Sequence, residues 1–76
     1  MTTVNIRLTT LEDVRRFVNT VTKYDTEIDL CSGRYVLDAK SIMGIFSLDL
    51  LSPIKLTAHT DDATALLADL KDFIIE

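Results

Sequence analysis

The sequence predicts an α+β domain in which one four-stranded sheet carries its helices on a single face. Two patterns and one limit lead there. Apolar residues switch between period-two and helical spacing in the order β-α-β-β-α-β-α. Each strand has one apolar face and each long helix one apolar stripe, so the two kinds of element must cover one another. The limit is length: 76 residues, 47% of them hydrophobic and 26% charged, make one small globular domain spanning residues 1–76.

The elements follow in order. Val4, Ile6 and Leu8 alternate with Thr3, Asn5 and Arg7, the pattern of a half-buried strand. Thr9-Thr10 supplies two N-cap candidates, and Thr9 with Glu12 has capping-box spacing. Leu11, Val14, Phe17, Val18 and Val21 then recur at helical spacing, which predicts a helix over Leu11–Lys23. Ile28 and Leu30 oppose Glu27, Asp29 and Cys31 in a second strand. Ser32-Gly33 is a tight turn, and Tyr35-Val36-Leu37 completes a hairpin whose buried face the pattern does not decide. Ser41 opens a short helix through Ile42–Leu48 that is apolar on several sides, and Leu51-Ser52-Pro53 stops it. Ile54, Leu56 and Ala58 alternate with Lys55, Thr57 and His59 in the last strand. Thr60 is the expected cap of the final helix, Asp61 and Asp62 complement its positive end, and Ala63, Leu66, Leu67, Leu70, Phe73 and Ile74 form its buried stripe. The uncovered sheet face is then polar, lined by Asn5, Arg7, Asp29, Lys55, Thr57 and His59.

Composition excludes several function classes. Eight basic against twelve acidic residues leave a net charge of −4, without the basic cluster that a phosphate backbone requires, so no direct nucleic-acid partner is expected. No apolar run approaches a membrane span, and the first residues show no secretory pattern, so a cytoplasmic location is expected. One Cys, one His and scattered carboxylates give no zinc-finger spacing, and no metal ligand set is expected. Cys31 has no neighbouring cation in sequence to activate it and reads as an inert thiol. A core this small leaves little capacity for a deep pocket, so no cofactor is expected and a surface site or partner-binding role is favoured.

The order of elements and the run Ala39-Lys40-Ser41-Ile42-Met43-Gly44-Ile45-Phe46-Ser47-Leu48 resemble HPr, the histidine-containing phosphocarrier protein family of the sugar phosphotransferase system. Lys40-Ser41-Ile42-Met43-Gly44 is similar to the regulatory serine site of HPr in Gram-positive bacteria. Thr22-Lys23-Tyr24-Asp25 and the ungapped Phe17-Val18 add to the likeness, which extends over nearly the whole chain. The resemblance implies an open-faced β-sandwich of HPr type and protein partners: an HPr kinase, a transcriptional regulator or the phosphotransferase-system enzymes. It also implies a phosphocarrier, not an enzyme.

The departure from the family lies between the first strand and first helix. There HPr has a loop of the type Gly-x-His-x-Arg-Pro-Ala, whereas the ungapped correspondence from Phe17 puts Thr10 at the phospho-accepting histidine. Leu11, Glu12 and Asp13 follow it. Phosphohistidine chemistry needs a ring nitrogen as nucleophile and a positive surround for the phosphoryl group. Glu12 and Asp13 suit a helix N-terminus but repel an incoming phosphate. Arg15 and Arg16, one turn on, read as solvated charges. The resemblance implies an antiparallel sheet in which the last strand ends beside the start of the first, which would put His59, the remaining imidazole, at the opposite end from Thr10.

Ser41 reads as a helix N-cap and, by the resemblance, as a phosphoserine switch; both roles are compatible. Core is the default for apolar residues of the short helix, yet a helix apolar on several sides leaves a patch, and Met43 and Phe46 are the pair expected on the surface. Lys40, Met43 and Phe46 are the expected partner contacts, and Thr10 with Glu12 the degenerate phosphohistidine site. The sequence thus suggests an HPr-like regulatory or interaction module without histidine phosphocarrier activity, similar in this to the catabolite-repression HPr-like proteins. A phosphocarrier with atypical chemistry and a degenerate paralogue that keeps only the fold are the alternatives. A sheet this small is compatible with a monomer or a strand-exchanged homodimer.

Overall fold

The computed structural model describes residues 1–75. Its elements are β1 (Thr2–Ile6), α1 (Leu11–Val21), β2 (Ile28–Ser32), β3 (Tyr35–Asp38), α2 (Ile42–Phe46), β4 (Ile54–Ala58) and α3 (Thr64–Asp69). The strands form one sheet in the order β1-β4-β2-β3, every neighbouring pair antiparallel. The predicted α+β architecture and element order are therefore those of the protein.

Alternation decides which face is buried. Ile6, Ile28, Leu30, Ile54, Leu56 and Ala58 are fully buried beneath the helices, with Val4 partly buried beside them. Phe17 and Val14 of α1 and Leu66 of α3 meet this layer. Phe17 stacks edge-on against Phe73, their ring centroids 6.0 Å apart. The hairpin left open by the sequence is settled by Leu37, which packs on the core side, while Val36 lies opposite Cys31 on the other face. Gly33 turns the hairpin at φ +60°, a conformation that costs an L side chain but not glycine.

Several boundaries shift. α1 ends at Val21 rather than Lys23, because Thr20 and Thr22 turn their hydroxyls back to the carbonyls of Arg16 and Asn19. α2 stops at Phe46, where the Ser47 amide and hydroxyl both bond to the Gly44 carbonyl. The turn before Pro53 is built by the Asp49 carboxylate, which accepts from the Leu51 amide and the Ser52 hydroxyl. Thr60 does not cap α3. It closes a turn with Asp62, whose carboxylate takes the Thr64 amide, and the N-cap itself is Ala63.

The C-terminal stretch departs furthest from the expected helix through Ile74. α3 ends at Asp69, Ile74 bridges to Ile6, and the Ile75 amide donates to the Asn5 carbonyl. The chain end thus covers part of the outer edge of β1, a protection that an open sheet edge needs. Arg7 also moves. β1 ends before it, its amide bonds to the Phe73 carbonyl, and its side chain lines a cleft at the α1 end, not the open sheet face.

Candidate functional site

The corner where β1 meets α1 is built by two threonines. Thr10 is extended and its hydroxyl accepts from the Asp13 amide at 3.1 Å, making it the N-cap. The Asp13 carboxylate reaches back to accept the Thr9 hydroxyl at 2.7 Å and the Thr9 amide at 3.1 Å. The reciprocal cap therefore sits one residue later than the Thr9–Glu12 pairing expected from spacing. Full burial of Leu8 fixes the strand exit, so the chain stays extended through Thr10. The bond from the Thr9 hydroxyl, and then that from its amide, hold the Asp13 carboxyl below the usual aspartate range, with a smaller contribution from Arg16. Negative charge is thus fixed at this helix end, and Glu12 stands exposed one residue before it.

Arg16 is not the free, solvated charge the sequence suggests. Its guanidinium lies 3.8 Å from Asp13 and 3.4 Å from Asp72, and 5.2 Å from the centre of the Phe73 ring. Arg7, Thr9, Asp13, Arg16, Asp72 and Phe73 line a cleft of about 230 Å³, joined by Ile75. Arg16 is paired with both carboxylates, and the two arginines and two aspartates of the lining sum to no net positive charge that would attract a phosphoryl group. Asp72 comes from the chain end, 56 residues after Arg16, and spacing carries no signal for that meeting.

A second surface surrounds α2. Ser41 is exposed, extended at φ −95° and ψ 93°, and its hydroxyl accepts from the Gly44 amide at 3.3 Å. Gly44 permits a close approach: a Cβ there would lie 3.1 Å from the Ser41 hydroxyl, which would have to give by a few tenths of an ångström, and in ordinary contact with Leu37 at 3.6 Å. Ile45 is fully buried, whereas Met43 is 76% and Phe46 41% exposed, so these two project from the helix as expected. Lys40 is half-buried, and its ammonium donates to the Tyr24 carbonyl at 2.6 Å. The Tyr24 hydroxyl in turn bonds to Asp69, linking the end of α1 to both later helices.

On the open sheet face the register collects residues that are distant in sequence. The His59 ring nitrogen Nε2 lies 2.7 Å from Asp29 Oδ2, and Glu27 joins them. Cys31 faces Lys55 across the β2–β4 pair, so it has a cationic neighbour that sequence adjacency hid. Thr3 and Thr57 place their hydroxyls 3.4 Å apart.

The family described as "PTS HPr component phosphorylation site" matches residues 13–76, most of the chain. The chain belongs to the HPr family. Its fold is that of HPr-C-His from Thermoanaerobacter tengcongensis, with a TM-score of 0.78 and 31% identity over 95% of this chain and 89% of that one. It is also similar in fold to the phosphocarrier protein HPr of Bacillus anthracis str. Ames, with a TM-score of 0.73 and 23% identity over 96% of this chain and 95% of that one. No curated protein matches. HPr proteins are phosphocarriers of the phosphotransferase system, which work by docking on protein partners rather than as enzymes. Among the described residues no helix is long and apolar enough to cross a membrane.

In HPr terms, the matched region holds Ser41 and the α2 surface and begins just past Thr10 and Glu12. The one imidazole of the chain is His59. Thr2 pairs with Ala58 and Ile6 with Ile54, so His59 lies beside the start of β1 while Thr10 follows its end. A five-residue strand is about 17 Å long, beyond the reach of phosphoryl transfer between the two positions.

Proposed function

We propose that this HPr-family protein is a regulatory and interaction module that works without histidine phosphoryl transfer, with Ser41 as its phosphorylation site. Lys40, Met43 and Phe46 are its partner contacts, and Thr10 and Glu12 mark a phosphohistidine site that has lost its chemistry. A cytoplasmic location goes with this role. The observation that carries the reading is the separation of His59 from the Thr10 corner by the length of β1. The corner supports it further: Thr10 spends its hydroxyl on a helix cap, and the adjoining Asp13 carboxylate stays charged.

The α2 surface supplies the positive part. Ser41 is exposed beside the large apolar side chains of Met43 and Phe46, and a partner that covers them gains apolar burial. A phosphate on Ser41 adds a charge of about −1.5 to −2 next to that patch and changes which partners it admits. The partners by family likeness are an HPr kinase and a transcriptional regulator. Incubation with an HPr kinase and ATP should label wild type, and Ser41→Ala should take no label. Equal labelling of the two removes the switch. In a pull-down with phosphotransferase-system regulators, the Met43→Ala, Phe46→Ala double variant should lose partners that wild type retains.

Membership of a phosphocarrier family favours one second reading: a carrier with atypical chemistry, for which His59 would have to accept the phosphoryl group. The readings part on acid stability, since a phosphoserine ester survives acid and a phosphohistidine does not.

A further inference from the structure

We propose that Glu27, Asp29 and His59 form a surface site for a divalent transition-metal cation of the zinc type. The site owes its existence to the sheet. The His59 amide donates to the Glu27 carbonyl at 2.9 Å, and the β2–β4 register sets Ile28 against Ala58 and Asp29 against Thr57. Two antiparallel strands thereby present three ligand-bearing side chains to one spot.

One ligand atom from each residue lies within 4.8 Å of the other two, and His59 Nε2 to Asp29 Oδ2 is 2.7 Å. Zinc held at about 2.0–2.2 Å by nitrogen and oxygen needs its ligand atoms about 3.4 Å apart, so small side-chain rotations complete the set. One imidazole and two carboxylates give three protein ligands and leave one coordination position for water or a partner's side chain. The imidazole selects zinc, nickel or copper over magnesium and calcium, which prefer oxygen alone.

Charge gives the site its drive. Glu27 and Asp29 bring two like charges to the same spot, and one imidazole can offset at most one of them. A dication neutralises both. None of the ion pairs among the described residues uses Glu27, so its carboxylate is available as a third ligand. Asp29 is only partly exposed, which limits the freedom it would lose on binding.

Calorimetric titration of zinc chloride into the full chain tests this. One zinc should bind per chain, His59→Gln should weaken binding by about tenfold or more, and Glu27→Gln should weaken it several-fold. Both side chains are exposed, so the variants should melt as wild type does. Cys31→Ser should leave the affinity unchanged, and equimolar magnesium should not compete. Amide chemical shifts at Glu27, Asp29 and His59 should move together as zinc is added. Failure to bind at about millimolar zinc, unchanged affinity in His59→Gln, loss of binding in Cys31→Ser or displacement by magnesium each overturns the proposal.

Discussion

Thr9 gives both its hydroxyl and its amide proton to the Asp13 carboxylate, and these bonds favour the ionised acid. A carboxyl whose pKa falls on folding stabilises the protein fully above its unfolded value of about 3.9 and loses that contribution as pH falls through the lower folded value. Wild type should therefore lose melting temperature on the acid side more steeply than Asp13→Asn. Thermal melts between about pH 2 and pH 6 check this, and superimposable acid limbs would show that the charge at this corner does not matter to the fold. In the proposed function the same negative charge has a second effect, since it opposes a phosphoryl group at this helix end. Gly44 is the matching case at α2, where the lack of a side chain leaves room for the Ser41 hydroxyl to cap the helix.

At the scale of elements, Tyr24 ties three helices together. Its carbonyl receives the Lys40 ammonium ahead of α2, and its hydroxyl bonds to Asp69 at the end of α3. The bond to Asp69, with desolvation and the aspartate's charge behind it, raises the phenol's pKa. A raised pKa gives stability that is fully present below the ordinary phenol value of about 10 and is lost as pH rises through the folded value. Tyr24→Phe should thus be less stable than wild type at neutral pH, and the difference should shrink as pH climbs past that range. Melts from about pH 7 to pH 12 measure it, and a constant difference would contradict the coupling.

Elements were legible wherever side chains repeat. The strands, α1 and the core stripe of Val14, Phe17 and Val21 follow from periodicity alone. The ends of elements were not, because local hydrogen bonds by Thr10, Asp13, Thr20, Ser47 and Asp62 override the apolar pattern by a residue or more. The chain end reads as helix in the sequence because Phe73 and Ile74 fit a helical stripe, whereas in the fold the Phe73 carbonyl accepts from the Arg7 amide and Ile74 bridges to Ile6. The exposed pair Met43 and Phe46 was legible from the excess of apolar residues on a short helix. The Arg16–Asp72 contact and the Glu27–Asp29–His59 cluster were not, since only the folded topology joins residues so far apart.

For the whole molecule, the sheet divides the surface into regions with separate uses. Helices bury one face, the open face carries the polar cluster around His59, and the edge at β1 is partly covered by the chain end. The α1 corner and the His59 cluster stand at opposite ends of β1. In the proposed function Thr10 stands where a phosphocarrier of this family would need its imidazole, and His59, the chain's one imidazole, lies at the far end of β1. The most direct measurement is the intact mass of the purified protein after incubation with phosphoenolpyruvate and enzyme I, read before and after mild acid. The account predicts an unmodified chain in both readings; a phosphoryl adduct that acid removes, mapped to His59, would contradict it.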